Sequence, residues 1–355
     1  MGSAAAWQLA RAGKSVVVLE QFEIGHHVGA SHGETRNISA AYPSDVYQDL
    51  LTEARAQWKE LEEESGEQLI DWVGLVQHGW QDPLHELVET HKRHGIRSEF
   101  LDPAEAHARW GGLRFETPVL FTHDAGRVRA AQSLRVLRER AEAVGATFLY
   151  NTPVRNLEVG TDEATVHTDT DSYIAANVVV TAGAWTSKLL PAAVPLPRLR
   201  VTQEQPAHFA IADETATWPS FMHNAVPGEP ADEYFRSPIY GMLTPGEGIK
   251  AGWHGTGIEL DPDERTFEYE EQQMLDLRRY VREWIPGANP DDFTAISCTY
   301  TTTPNEDFVL ERWGPLVIGA GFSGHGFKFT PAVGKALADI VDGKPAPKLF
   351  RQLAR

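Results

Sequence analysis

Apolar positions recur along the chain with two periods. Ala5, Leu9 and Ala12 follow one another at three- and four-residue spacing, which predicts a helix over Gly2–Ala12 closed by Gly13. Ser15–Leu19 is a β-branched run suited to a buried parallel strand, with Glu20 at its carboxyl end. The helical period returns at Asp45–Glu64, where Leu50, Leu51, Ala54, Trp58 and Leu61 form the inward stripe and Glu60–Glu64 a solvated end. It returns again at Val128–Val144, closed by Gly145, at Glu268–Trp284, stopped before Pro286, and from about Pro331 to Val341. A further charged helical stretch has Pro103 near its start. Strands are predicted at Asp71–His78, Leu113–Thr122, Thr147–Val154, Ala164–Thr170 and Ser172–Thr181.

A helix, a strand and then an acid form the second half of a dinucleotide-binding βαβ unit, in which the acid takes the hydroxyls of an adenosine ribose. An ordinary helix–strand pair of any α/β protein has the same residues. In a complete fingerprint Gly2 would be the third glycine, so the chain as given is expected to start inside the motif, with the first strand lying before Met1. Val178–Val180 runs into Gly183 and a helix, which brings the chain back to the nucleotide-binding sheet. Leu196–Ile211, Tyr234–Trp253 and Phe293–Thr302 alternate and are rich in turns and aromatics, as in an antiparallel sheet. The predicted fold is therefore α/β: a Rossmann-like nucleotide-binding domain with an interleaved antiparallel-sheet substrate domain, the α+β layer. Residues 1–80, 125–190 and 305–355 are assigned to the first, and 81–124 and 191–304 to the second.

Composition narrows the partners. Asp and Glu total 50 against 32 Lys and Arg, and the net charge of −18 opposes nucleic acid or an anionic membrane surface. No apolar run is long enough to cross a bilayer, and the first residues lack the regions of a signal peptide. One cysteine cannot form an internal disulfide, so a cytoplasmic location is expected.

Two stretches carry candidate chemistry. Gly25–Tyr42, with irregular glycines and histidines, reads as a loop lining a site. Its histidines lack the thiolates or carboxylates that would complete a ligand set, so no metal site is predicted; a solvated loop is the plainer reading of His32 and Arg36. The second stretch is Cys298-Thr-Tyr-Thr-Thr-Thr-Pro304 followed by Pro315–Phe329, an apolar run ending in glycines before a helix start. Backbone N–H groups and a helix dipole can meet an anionic ligand there. A lone cysteine is more often a small buried hydrophobe.

Ser31-His-Gly-Glu-Thr-Arg36, Lys250-Ala-Gly-Trp-His254, Cys298–Pro304 and Gly321-Phe-Ser-Gly-His-Gly-Phe-Lys328 occur in the order seen in one family. Over nearly its whole length the chain resembles the sarcosine oxidase and N-methyltryptophan oxidase group of flavin-dependent amine oxidases. The resemblance implies FAD held through a covalent thioether at Cys298, a secondary amine or N-substituted amino acid oxidised to an imine, and O2 reduced to hydrogen peroxide. It places Lys250 beside the flavin as the cation for oxygen reduction, Arg36 and His32 near the ring, and His254, Tyr300 and Tyr240 on the substrate side. Gly2, Glu20, Ser31, Thr35, Gly183, Gly321, Gly324, His325, Gly326 and Lys328 are the remaining cofactor-side candidates, and the resemblance favours a monomer.

One position departs from that pattern. The family clamps a small carboxylate with an arginine three residues after the one matching Arg36, together with the lysine matching Lys328; here Ser39 stands in the arginine's place. A short neutral side chain cannot make a bidentate charge-assisted pair. Sarcosine is therefore expected to be a poor substrate and a larger amine a better one. The competing readings are a flavin dehydrogenase with another acceptor, a nucleotide-binding protein without redox activity because its first strand is absent, and a nicotinamide dehydrogenase, which leaves the Cys298 stretch unexplained.

Overall fold

The computed structural model describes residues 1–228 and 233–353. The helix Gly2–Arg11 is alanine-rich, and Ala4, Ala5, Ala6, Trp7, Leu9 and Ala10 are buried. Those small side chains let it lie against the helix Thr330–Val341 and the helix Ala130–Ala143 in one apolar core. The helix Asp45–Ser65 joins that core through the predicted stripe: Leu50, Leu51, Ala54, Trp58 and Leu61 are all buried. Two parallel strand pairs lie over it, Val17–Leu19 with Thr147–Leu149 and Val178–Val180 with Leu316–Ala320, so this half is α/β.

The other half is an eight-stranded sheet. Its order is Ala288–Ala295, Ala207–Ile211, Gly248–Trp253, Ile239–Thr244, Ser220–Asn224, Leu75–Gly79, Val119–Thr122 and Ser98–Leu101. Six of the seven neighbouring pairings are antiparallel; Ser220–Asn224 runs parallel to Leu75–Gly79, so the layer is mixed rather than purely antiparallel. The helix Glu271–Trp284 covers it with Met274, Leu277, Tyr280 and Val281. Its amino end is capped by the Glu270 carboxylate, which accepts from the N–H groups of Gln272 and Gln273.

Where the two halves meet, Asp71 accepts from Arg127 Nε at 3.0 Å and Arg129 Nη2 at 2.7 Å, and Arg127 Nη1 donates to the carbonyl of Leu243. Thr35 Oγ1 lies 2.7 Å from Thr244 Oγ1. A three-stranded sheet, Thr35–Ile38, Gly126–Arg129 and Ile70–Asp71, is thereby fixed to the eight-stranded one.

Several predicted strands are shorter or differently paired. Asp71–His78 is two strands in two sheets, because Gly74 turns the chain at φ +77° and donates its N–H to the carbonyl of Ala125. Of Leu113–Thr122 only Val119–Thr122 is a strand; Pro118 lacks the N–H for a ladder, and Leu113 and Arg114 instead donate to the carbonyls of Trp110 and Trp284. Thr147–Val154 ends at Leu149, before Pro153. Ser172–Ala175 and Val178–Val180 belong to different sheets. The helix predicted from Val128 starts at Ala130, since Val128 pairs with both Arg36 and Ile70 in the middle of the small sheet. Within the predicted loop Gly25–Tyr42, Thr35–Ile38 is a strand. The helix Asp82–Arg93 and the strand Ser220–Asn224 have no counterpart among the predicted elements.

Candidate active site

A cavity of about 2240 Å³ runs between the halves, from Gly2 and Glu20 at one end to Lys250, Cys298 and Tyr300 at the other. That exceeds the roughly 300–1,000 Å³ of a site for one drug-sized ligand, and leaves room for a dinucleotide and a substrate together. Glu20 stands at the carboxyl end of its strand, where its Oε1 accepts the N–H of Phe22 at 3.1 Å. Gly2 and Gly183 line the same end.

The loop beyond Gly25 is organised by Arg36. Its guanidinium donates to the carbonyls of Thr35 and Ala30, each at 2.8 Å, and of His32 at 2.5 Å. Three carbonyls on one cation fix the path of a segment that has few apolar anchors. His32 Nδ1 donates to the carbonyl of Gly29 at 2.7 Å, leaving its other nitrogen as an acceptor. Burial, followed by the positive charges of Arg36, Lys250 and Arg265, holds His32 down to about 4, so it is neutral at pH 7. Ser31 and Ser39 line the cavity. Thr35 does not: its hydroxyl is committed to Thr244 and its side chain is buried away from the space.

Cys298 opens the strand Cys298–Thr302 at half-buried exposure, with its Sγ 3.9 Å from the carbonyls of Ala30 and Thr299. Two residues on, and so on the same face, Tyr300 is 8 % exposed and hydrogen-bonds through its hydroxyl to His254 Nδ1 at 3.2 Å. Burial lowers His254 and raises the Tyr300 and Tyr240 phenols, so all three are neutral donors or acceptors. Gly324, at φ +76°, supports this arrangement: a Cβ there would lie 2.2 Å from the Tyr300 ring. Gly321, His325 and Gly326 share the same turn and face the cavity.

Two lysines reach the cavity. Lys250, on the strand Gly248–Trp253, is 6 % exposed; burial first, then Arg36, brings it down to about 7. Among the described residues its ammonium has no hydrogen-bond or salt-bridge partner. Lys328 is equally buried and likewise lowered to about 7 by burial, but it donates to the Tyr42 hydroxyl at 2.7 Å and to the carbonyl of His325 at 2.9 Å. Tyr42 in turn stacks on Tyr47 with ring centres 5.1 Å apart and lies 3.2 Å from His325 Nδ1.

Apart from Thr35, every residue singled out in the sequence faces this one space. Tyr42, His208 and Glu247 also line it and were not singled out. Tyr42 closes the Gly25–Tyr42 loop and was legible as an aromatic beside a candidate site; His208 and Glu247 become visible only through strand register.

The fold and this cavity are those of a dinucleotide-dependent enzyme, the far end of the cavity being lined from both the eight-stranded sheet and the three-stranded sheet that carries Cys298. The profile of the FAD dependent oxidoreductase family matches residues 1–340. The chain belongs to that family and is an FAD-dependent oxidoreductase. It is 34% identical over 361 residues to a monomeric sarcosine oxidase of Bacillus sp. (strain NS-129), covering 96% of this chain and 90% of that one. It is 28% identical to an N-methyl-L-tryptophan oxidase of Citrobacter koseri, covering 97% and 92%. Among solved structures it is similar to the open form of NikD, described as an unusual amino acid oxidase essential for nikkomycin biosynthesis, with a TM-score of 0.87 and 26% identity over 98% of this chain and 94% of that one. No described helix is long and apolar enough to cross a membrane.

Proposed function

We propose that the protein is an FAD-dependent oxidase of a secondary amine or N-substituted amino acid, with the flavin attached through Cys298 and O2 as acceptor. The observation that carries this reading is the convergence of Cys298, Lys250, the Tyr300–His254 pair and Lys328 on one cavity that continues to Glu20. When bound, FAD supplies the two-electron acceptor. The chain holds it by Cys298 at one end and, at the other, by Gly2 and the Glu20 carboxylate.

The residues around the reacting amine are neutral. Tyr240, Tyr300 and His254 can accept and donate hydrogen bonds but offer no negative charge to stabilise an ammonium, and so favour the uncharged amine that can be oxidised. Lys328 offers one positive charge to a carboxylate, and Ser39 offers none. A carboxylate is therefore held by a single point charge, and more of the substrate's binding must come from the apolar and aromatic lining. This favours a larger N-substituted amine over sarcosine. Lys250 supplies the fixed cation for charge developing on oxygen.

The test is anaerobic titration of the purified yellow protein with a series of N-alkyl amino acids of increasing side-chain size, followed by admission of air. Bleaching that is faster with the larger amines, with colour restored by air and hydrogen peroxide released, is the expected outcome. Saturation by sarcosine at micromolar concentration overturns the substrate assignment, and colour that air does not restore overturns the acceptor.

A further inference from the structure

Lys250 has neighbours that the amine reaction does not use. Register on the large sheet puts His208 directly opposite Lys250 on one side and Met242 on the other, with Thr294 opposite His208. Directly opposite residues share a face, with Cβ atoms roughly 5 Å apart. Thr294, His208, Lys250 and Met242 thus form one row across the cavity-facing side of the sheet, and all four line the cavity. His208 is 8 % exposed, and its Nε2 has no hydrogen-bond partner among the described residues. Its Nδ1 lies 3.3 Å from Glu247 Oε2, whose side chain is 42% exposed at the turn before the Lys250 strand. When Glu247 holds a proton, its carboxyl donates to Nδ1, which leaves Nε2 as the N–H on the buried side.

We propose that Glu247 and His208 are positioning residues that carry a proton from solvent to Lys250. The proposal rests on oxygen as acceptor. Converting O2 to H2O2 consumes two electrons and two protons. Both electrons and one proton are carried over from the amine, whose second proton has already left to solvent; the other proton needed by oxygen must come in from outside. Lys250 gives that proton up and is restored through His208, which takes a proton at Nδ1 from Glu247 and releases one at Nε2. Glu247 is refilled directly from water.

The charged and titratable groups facing this row are Arg36 and His32 from the loop and its strand, Cys298 beside Lys250, and Glu34 beside Glu247. Arg36 opposes a second cation at Lys250, whereas Glu247 favours one. Burial and Glu34 both raise Glu247, which suits a carboxyl that must hold a proton part of the time.

The experiment uses the holoenzyme and its Glu247→Gln and His208→Phe variants. Reduction by amine is followed first without oxygen, then reoxidation by oxygen-saturated buffer between pH 6 and 9, with and without added imidazole. Expected are unchanged reduction, reoxidation slowed about tenfold, and recovery with imidazole in both variants. In parallel, labelling of Lys250 by acetic anhydride is read by peptide mass across the same pH range. Loss of the Glu247 charge should lower the midpoint of labelling by about half a pH unit. Wild-type reoxidation rates in both variants, or slowed rates that imidazole does not restore, overturn the relay. If air fails to reoxidise even the wild type, the oxidase reading fails and the labelling alone decides: a lowered midpoint in Glu247→Gln upholds the coupling, and an unmoved one overturns it.

Discussion

Two lysines face the same cavity at the same burial and are both brought down to about 7, yet their surroundings differ. Lys328 is tied to the Tyr42 hydroxyl and the His325 carbonyl, so its head has a fixed place and can serve as a recognition point. Among the described residues Lys250 has no such tie, and it faces Arg36, a like charge. A buried cation without a partner is costly, and function is the ordinary reason such a group persists. The contrast supports the proposed roles, Lys328 toward the substrate and Lys250 toward charge that develops only during turnover.

The sharpest way to break the contrast is to remove one charge at a time. In Lys250→Met the reoxidation rate should fall by about 10²–10³-fold, as for loss of one preorganised electrostatic group, with reduction by amine nearly unchanged. In Lys328→Met the order reverses: reoxidation is kept, and kcat/KM for a carboxylated amine falls roughly 10–100-fold, the worth of one charged hydrogen bond. Equal losses in both half-reactions for both variants would dissolve the distinction. Stopped-flow traces of each half-reaction give the answer.

The pH dependence sharpens it. Because kcat/KM reads the free enzyme, and Lys328 is charged below about 7 and neutral above, kcat/KM for a carboxylated amine should fall, relative to an uncharged amine, as pH rises through 7. Lys328→Met should remove that difference. A smaller effect is expected from Ser39→Arg, which restores a second cation: carboxylated amines of small size should gain roughly tenfold in kcat/KM.

The smallest expected difference is in stability. A lysine near 7 in the folded chain and 10.5 when unfolded binds fewer protons folded than unfolded between those values, so stability rises with pH across that window and the cost is full below 7. Lys250→Met removes the cost at no loss of a hydrogen bond among the described residues, and Tm below pH 7 should rise by a few degrees, at about 1–2 °C per kcal/mol in a chain of this size. Lys328→Met also strips a donor from Tyr42 and His325, so its rise should be smaller or absent. Scanning calorimetry at pH 6 compares the two.

The long amphipathic helices and the buried strands beside them were legible because their period is local: the Leu50–Leu61 stripe and the Val178–Val180 run need no partner to be recognised. Short strands were not. Gly126–Arg129 is a strand only because Thr35–Ile38 and Ile70–Asp71 lie on either side of it, and Ser220–Asn224 only because Leu75–Gly79 and Ile239–Thr244 flank it. The site shows the same division. Residues in contiguous motifs, such as Lys250–His254 and Cys298–Pro304, could be read directly. Thr35 lies inside such a motif but spends its hydroxyl on Thr244, 209 positions away in sequence, and nothing local announces it. His208 is the converse, chemically exposed to the cavity through a register that only the folded sheet reveals.

The most direct measurement is acid denaturation of the full-length yellow protein, followed by washing, proteolysis and mass analysis of the peptides with their absorbance. Colour is expected to stay with the protein, and the peptide containing Cys298 to carry the added mass of the flavin. Flavin recovered wholly in the wash, with the Cys298 peptide at its unmodified mass, would contradict attachment through Cys298.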